Sequence, residues 1–251
     1  MRTIIIIILI LSLAGNIIGA YFIYKALKLR GEIRQYQRYH ADLKAKYEAL
    51  KADFAGIAVY ENENRRLLEV TTAEQRKKMT VLFGASITKG LDAEKYFPGK
   101  GIINRGVGSQ SDVQLLARFS SDVLNLAPGK AVIKFCSGNF NPKANLQAMW
   151  SEYEIMAMEA ARHNIQPLLA TVLPATRGAE EYSDYSIAAQ VRDFNKRIEA
   201  FAAAQKLQVV DYYGALADKN GFLPDSLARD AIHPNENGYA VMAKTLQPIL
   251  E

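Results

Sequence analysis

Two short segments contain residue types that together can activate a hydroxyl group for attack on a carbonyl carbon. Ser86 ends the run Gly84-Ala85-Ser86, and Asp230 precedes His233 by three residues. A serine hydroxyl is a poor nucleophile near neutral pH, so it needs an imidazole to take its proton and a carboxylate to fix the imidazole's tautomer. The spacing lets Asp230 and His233 share one side of a turn. The pattern therefore indicates acyl transfer through a serine.

The surroundings of Ser86 and the scarcity of histidine support this interpretation. Residues 79–83, Met-Thr-Val-Leu-Phe, are typical of a buried strand that runs into a loop at Ser86. Ligands of open α/β sheets bind at the carboxyl ends of the strands. The chain has three histidines; His40 lies in a predicted coiled coil and His163 near a predicted helix end. His233 is therefore the candidate base.

Two further segments complete a pattern of four blocks, and at this point the chain resembles the SGNH (GDSL-type) hydrolase family. The family is named for Ser, Gly, Asn and His in separate blocks, and the blocks occur here in the family's order. The resemblance covers about residues 78 to 251. The matching segments are Gly84-Ala85-Ser86-Ile87-Thr88, Asn104-Arg105-Gly106-Val107-Gly108, Ser137-Gly138-Asn139 and Asp230-Ala231-Ile232-His233.

The resemblance implies a role for each matching residue. Ser86 corresponds to the nucleophile, His233 to the base and Asp230 to its partner. The backbone N–H groups of Ser86 and Gly106 and the side-chain amide of Asn139 correspond to the oxyanion hole. Gly106 as a simple turn glycine and Asn139 as a helix cap are alternatives that do not exclude these roles, because turns and helix starts often present oxyanion donors.

The chain departs from the family at two places. Ala85 stands where the family usually has Asp, so a carboxylate that organises the loop around the nucleophile is missing. Phe140 stands where an Asp often follows the Asn, and we expect its ring to narrow or cover the site. Cys136 is the single cysteine, which excludes an intrachain disulfide and is more typical of packing than of chemistry.

Short apolar runs alternate with amphipathic stretches from about residue 80 onward. This alternation predicts an α/β domain with a parallel sheet covered on both faces, a three-layer α/β/α sandwich of the flavodoxin-like type that is also the resembled family's fold. The predicted strands are 80–83, 101–104, 131–135, 166–172 and 208–211, and the predicted helices are 112–126, 144–163, 185–206 and 237–250.

The first 25 residues have the composition of a membrane anchor. Residues 4–24 carry no charge, and a helix of about 20 apolar residues crosses the hydrocarbon layer. A cleaved signal peptide is the alternative, but the apolar run is long for one, and Tyr21, Tyr24 and Lys25 are typical of an interface. We therefore predict an uncleaved transmembrane anchor over residues 1–25.

A heptad pattern follows the predicted anchor. Apolar or aromatic residues recur in alternating steps of three and four between residues 26 and 57, for more than four heptads, with Lys, Arg and Glu between them. This predicts a coiled coil between copies of the chain; one amphipathic helix packed on its own domain is the alternative. The predicted organisation is an anchor over 1–25, a stalk over 26–70, a connector over 71–78 and a hydrolase domain over 79–251.

Charge and composition narrow the partners and cofactors. The net charge is +5, but much of the excess lies between Lys25 and Lys51, beside the predicted membrane, which favours lipid headgroups over nucleic acid. No zinc-ligand cluster or phosphate-binding glycine loop is apparent, so we expect no metal or other cofactor.

The orientation of the enzyme relative to the membrane has two opposing signals. The basic residues after the anchor favour a cytoplasmic enzyme. A very short charged N-terminus rarely crosses a membrane, however, and anchored members of the resembled family commonly work outside. We expect the extracytoplasmic side.

The sequence thus predicts a membrane-anchored, oligomeric esterase that removes a small acyl group, such as acetyl, from a carbohydrate or lipid-linked substrate. An O-acyltransferase is an alternative, since a sugar hydroxyl that replaces water in the second step would use the same Ser86, His233 and Asp230. A non-catalytic membrane scaffold with a degenerate domain is another. Retention of the Ser86, His233 and Asp230 side chains argues against loss of the catalytic site.

Overall fold

The computed structural model of the chain describes residues 2–180 and 186–250, without the side chains at positions 3, 5, 7–11 and 14. The chain divides into two compact units, Met1–Ala52 and Asp53–Glu251. The first is a single helix, α1 (Arg2–Ala52). The second contains the β-sheet and the candidate site.

Residues 2–25 of the predicted anchor lie within α1, and the structure does not support the anchor as a membrane span. Among the residues that the structure describes, no helix combines the length and the apolarity that a bilayer crossing requires. Several side chains of the apolar run lie outside those residues. The orientation of the enzyme relative to a membrane stays a prediction of the sequence.

α1 ends at Ala52, although the heptad pattern continues to Ile57. Two features of the next residues end the helix. The Asp53 carboxylate accepts hydrogen bonds from the backbone N–H groups of Ile57 and Ala58, at 2.9 and 2.8 Å, and Gly56 adopts the left-handed conformation with φ +70°. Both features are typical of a turn.

Residues 53–78 belong to the second unit, whereas the sequence assigned them to the end of the stalk and to a connector. They include α2 (Glu61–Val70) and α3 (Ala73–Arg76). Asn64 of α2 is buried and donates to the Asp122 carboxylate at 2.8 Å. Arg76 of α3 donates to the carbonyl of Leu126 at 2.9 Å. These contacts place the division between the units after residue 52.

A five-stranded parallel sheet forms the centre of the second unit, and its presence confirms the predicted α/β class. The strand order is β2-β1-β3-β4-β5, one of the two common doubly wound orders. The strands are β1 (Thr80–Gly84), β2 (Ile102–Gly106), β3 (Lys130–Lys134), β4 (Gln166–Ala170) and β5 (Gln208–Val210).

Helices connect the strands and cover the sheet. The four long helices lie within two or three residues of their predicted bounds, except that the first changes to a π-helix over Ser120–Leu124. The short helices after β1 and β5 were not predicted. The bounds are α4 (Ser86–Gly90), α5 (Ala93–Tyr96), α6 (Asp112–Phe119), α7 (Leu146–Arg162), α8 (Ile187–Gln205), α9 (Tyr212–Leu216) and α10 (Glu236–Leu250).

Two apolar clusters, one on each face of the sheet, form the core. Val81 and Phe83 of β1 pack in the cluster that includes α6, α7 and α8. Leu82 of the same strand packs in the cluster that includes α9 and α10. Successive side chains of a strand point to opposite faces, so a strand that is apolar throughout must be covered on both faces. The predicted three layers follow from this burial.

The packing of residues 53–78 predicts where the second unit can be separated from α1. A chain that starts at Asp53 should fold, whereas one that starts at Lys78 loses Asn64 and Arg76 and leaves two buried acceptors, Asp122 Oδ1 and the Leu126 carbonyl, without these donors. Each such group costs about 1–3 kcal/mol, and we expect a Tm at least about 5 °C lower for the shorter chain. Thermal unfolding followed by circular dichroism measures this. Equal Tm values would show that the segment does not stabilise the unit.

Candidate active site

The sheet topology places two of the predicted site residues just after the ends of neighbouring strands. From β1 the chain moves to β2 on one side and then returns to β3 on the other, so the order reverses between β1 and β3. Ser86 follows the end of β1 as the first residue of α4. Asn139 lies in a 3₁₀ turn, Ser137–Asn139, shortly after β3. Such a reversal point is where doubly wound sheets bind ligands.

The turn between β1 and α4 requires small residues. A Cβ atom at Gly84 would lie 2.2 Å from Thr88 Oγ1, and one at Gly106 would lie 2.1 Å from the backbone nitrogen of Lys89. The backbones of β1 and β2 therefore approach α4 closely, just after Ser86. Ala85 is buried in the apolar cluster on the α10 side. A carboxylate at this buried position would need polar partners.

Ser86, His233 and Asp230 form a continuous hydrogen-bonded relay. Ser86 Oγ lies 2.8 Å from His233 Nε2, and His233 Nδ1 lies 2.8 Å from Asp230 Oδ1. A carboxylate only accepts hydrogen bonds, so the proton belongs on Nδ1 and Nε2 is left to accept from the Ser86 hydroxyl. This is the tautomer in which an imidazole acts as the base toward a serine.

The Asp230 carboxylate is held in its charged form. Burial alone would raise its pKa, but it accepts backbone hydrogen bonds from His233 at 2.9 Å and from Ile232 at 3.1 Å, and one from the His233 ring. These hydrogen bonds outweigh burial and lower the pKa of Asp230 to about 2. The group is therefore ionised at neutral pH and can stabilise an imidazolium.

Backbone hydrogen bonds hold the loop that carries His233 and Asp230. The Arg229 N–H donates to the His233 carbonyl at 2.8 Å, and the Thr176 N–H donates to the Ala231 carbonyl at 2.9 Å. Ala228 and Pro234 form an isolated antiparallel bridge across the base of the loop. The imidazole therefore projects from a short closed loop.

The Asn139 amide lies beside the loop between β2 and α6. Its Nδ2 donates to the Gln110 carbonyl at 3.4 Å, a long hydrogen bond that uses one of its two N–H groups.

Phe140 does not narrow or cover the site, so the expectation that its ring would do so was wrong. The Phe140 ring is 1% exposed and packs edge-to-face on Phe194 in the core, because an apolar ring gains more from burial than from exposure in a polar cleft.

Gly106 does not offer a free N–H group to a substrate. Its N–H donates to Asn104 Oδ1 at 2.8 Å, and its carbonyl accepts from the Tyr60 hydroxyl at 2.6 Å. Together with its close approach to α4, these contacts give Gly106 a packing role. The structure therefore brings together Ser86, His233 and Asp230 as predicted, but it leaves the predicted Gly106 donor engaged.

Ser109 is a candidate donor that the sequence analysis missed. Its φ is +61°, and its N–H has no hydrogen-bond partner in the part of the chain that the structure describes. Ser109 is exposed and directly precedes Gln110, whose carbonyl contacts Asn139. A positive φ is uncommon for serine, so the residue type carried no signal for this conformation.

Comparison with known proteins agrees with this geometry. The family described as GDSL-like Lipase/Acylhydrolase matches residues 82–241, which is more than half of the chain. The chain belongs to this family. The predicted enzyme class is thereby confirmed: the protein is a GDSL-type esterase, and the match spans every residue of the Ser86 relay.

Solved structures share the fold. A GDSL-like lipase from Bacteroides thetaiotaomicron is 29% identical with a TM-score of 0.70, and the match covers 79% of this chain and 98% of that one. A proposed acylhydrolase from Bacteroides fragilis is 28% identical with a TM-score of 0.70, and the match covers 79% of this chain and 97% of that one. An acetyl xylan esterase shares the fold at 18% identity and a TM-score of 0.55, and the match covers 69% of this chain and 100% of that one. No curated protein matches the sequence.

The position of Asn139 predicts a catalytic rather than a binding role. Replacement Asn139→Ala should lower kcat by about 10²–10³ with little change in KM, because an aimed oxyanion donor acts mainly on the transition state. Steady-state kinetics with a small acyl ester measure both constants, and Asn125→Ala, at an exposed position outside the site, is the matched control. A change in KM alone would instead assign Asn139 to substrate binding.

Proposed function

We propose that this esterase removes small acyl groups, of the acetyl type, from carbohydrate or lipid-linked substrates. The observation that carries the proposal is the relay from Ser86 Oγ through His233 to Asp230, with both distances at 2.8 Å. This relay ends at a partly exposed serine residue, and we assign Asn139 and Ser109 as candidate donors to the oxyanion.

The relay supports a two-step acyl transfer. Ser86 Oγ attacks the ester carbonyl carbon while His233 Nε2 takes the hydroxyl proton, and the oxyanion accepts hydrogen bonds from the Ser86 N–H and the Asn139 amide. The Ser86 N–H has no carbonyl partner within α4, because it belongs to the first turn. The imidazolium then protonates the leaving alcohol. Water, deprotonated by His233, attacks the acyl-serine and releases the acid and free Ser86.

The openness of the site favours a small acyl group on a large acceptor. The His233 side chain is 19% exposed and the Asp230 side chain 46%, so both are reachable from solvent. The two connections that carry the candidate oxyanion donors are short: residues 107–111 connect β2 to α6, and residues 135–145 connect β3 to α7. Neither of these two connections is long enough to close over a long acyl chain. The acetyl xylan esterase among the structures with this fold is named for an acetyl substrate.

A series of p-nitrophenyl esters of increasing acyl length tests the proposal. We expect the highest kcat/KM for the acetyl ester and a decline toward the octanoyl ester, and we expect acetate release from acetylated sugars. Ser86→Ala should lower kcat by at least about 10³ without loss of the fold, because it removes one hydroxyl group. A rate that rises with acyl length would contradict the small-acyl assignment. Parental activity in Ser86→Ala would contradict the mechanism.

We also propose that α1 pairs with the same helix of a second chain. Ile33, Leu43 and Leu50 occupy the heptad seam and are 47–48% exposed, although apolar side chains at such positions normally pack in a partner helix. Because α1 ends at Ala52, the pairing should extend over residues 26–52 rather than to residue 57.

Charge placed in the seam tests this association. A chain that starts at Lys28 and carries Leu43→Asp and Leu50→Asp should be monomeric, because unpaired carboxylates in the seam oppose pairing. The same chain with Ala45→Asp and Ala49→Asp, outside the seam, is the matched control and should associate like the parent. Light scattering measures the mass at micromolar concentration. A monomeric parent chain would overturn the proposal.

A further inference from the structure

A network of buried polar groups joins residues 55–64 to the loops around Ser86. The segment precedes the part of the chain that matches the family, which begins at residue 82. Buried polar groups need partners, and such networks hold their members in one arrangement when every member is satisfied. The side chains of the network are Tyr60, Asn64, Arg105, Gln110, Arg118 and Asp122.

Gln110 connects the segment directly to Asn139. Its side-chain Nε2 donates to the Ala55 carbonyl at 2.6 Å, and its Oε1 accepts from Arg118 Nε at 2.5 Å. Its backbone carbonyl accepts from the Asn139 amide. Gln110 is 5% exposed, so both ends of its side-chain amide are satisfied inside the protein. A shift of Ala55 would therefore move the carbonyl that orients Asn139.

Tyr60 holds the other end of the same loop. Its hydroxyl donates to the Gly106 carbonyl at 2.6 Å, and the Arg105 guanidinium stacks 4.6 Å from its ring centroid. The loop residues 107–109 lie between Gly106 and Gln110, so the segment holds the loop on both sides of Ser109. The left-handed backbone of Ser109 is thereby fixed from outside the loop.

A third contact reaches β1, the strand that precedes the nucleophile. The Arg118 Nη2 donates to the Gly84 carbonyl at 2.8 Å, two residues before Ser86. The same guanidinium pairs with Asp122 at 2.7 Å, and Asp122 accepts from Asn64 of α2. The segment is therefore connected through two buried ions to the end of β1.

Gly56 permits the close approach of the segment to the loop. A Cβ atom at Gly56 would lie 2.9 Å from the Gln110 Nε2, and φ is +70°. A side chain would strain the backbone and displace the Gln110 amide, so the contact depends on glycine.

We propose that Tyr60 and Gln110 are positioning residues for the oxyanion side of the active site. With Gly56, they keep the Ser109 N–H and the Asn139 amide at the place where the carbonyl oxygen of the tetrahedral intermediate forms. This inference rests on the proposed function, in which Asn139 serves that oxygen. The first residues of the second unit, in this account, are part of the esterase site rather than the end of a stalk.

Positioning acts on the transition state more than on substrate binding. A misplaced donor lowers the rate of the chemical step even when the ester still binds, and displacements of about 1 Å cost about 10²-fold in rate. Loosening one end of the loop should cost less than removing the donor. We therefore expect a fall of about 10-fold in kcat with KM within about twofold of the parent.

The first test compares two tyrosines with matched surroundings in the full chain. Tyr60 and Tyr213 are both half-buried, and the hydroxyl of each donates to a backbone carbonyl. The Tyr60 hydroxyl donates to the Gly106 carbonyl at 2.6 Å, and the Tyr213 hydroxyl donates to the Gly221 carbonyl at 3.4 Å. Tyr60→Phe should show the fall in kcat, whereas Tyr213→Phe should retain the parental constants. Rates are divided by the concentration of active sites titrated with a fluorophosphonate, so that a loss of folded protein does not lower the calculated kcat.

A second pair of variants keeps the test decisive if Tyr60→Phe alters stability. Gly56 and Gly99 both have φ +70°, but a Cβ atom at Gly99 has open space while one at Gly56 meets Gln110. Gly56→Ala and Gly99→Ala therefore share the backbone strain and differ in the contact with Gln110. Only Gly56→Ala should lower kcat per titrated site.

The outcomes separate this inference from the proposed function. An active parent with both Tyr60→Phe and Gly56→Ala at the rates of their controls would overturn the positioning role and leave the esterase mechanism standing. A parent no faster than Ser86→Ala would overturn the proposed function, and this inference with it. A selective fall in kcat for the two variants supports both.

Discussion

The buried Arg118 guanidinium is the group on which the geometry of the active site most depends. It is fully buried with Asp122, and its N–H groups reach the Gly84 carbonyl at the end of β1 and the Gln110 amide in the β2–α6 loop. A guanidinium presents fixed donors in a plane, so these partners cannot move independently. Removal of one partner would leave a buried charge without compensation, which is costly. The ion pair thus couples the strand before the nucleophile to the loop beside Asn139.

The sequence predicted the parts of the site that depend on local pattern. The alternation of short apolar runs with amphipathic stretches indicated a parallel sheet covered on both faces, and the strand before Ser86 placed that residue at the edge where ligands bind. Asp230 and His233 lie three residues apart, so their contact needs only a turn. The strand pattern and the Asp230–His233 spacing involve neighbours in the chain and need no tertiary structure. The pairing of Ser86 with His233, 147 residues away, was inferred from the residue types and from the family resemblance.

Other features of the structure differ from what the sequence predicted. Gly106 matched the family's oxyanion donor, but its N–H and its carbonyl are hydrogen-bonded to Asn104 and Tyr60. No sequence pattern indicated Ser109, because its left-handed backbone conformation is unusual for serine. The heptad register ran on to Ile57, although the Asp53 carboxylate ends the helix earlier. The sequence assigned residues 53–64 to the stalk, yet Asn64 is buried against Asp122. Tertiary hydrogen bonds overrode the local pattern at Gly106 and Asn64, whereas the turn at Asp53 forms through hydrogen bonds to residues only four and five positions away.

The claim that Ser86 is the nucleophile of this relay can be tested directly by covalent labelling. The full chain is incubated with a fluorophosphonate, digested, and the labelled peptide is mapped by mass spectrometry. We expect a single label on Ser86, formed much more slowly when His233 is replaced by Gln, because the serine then lacks its base. A label on another serine, or equal labelling rates with and without His233, would contradict it.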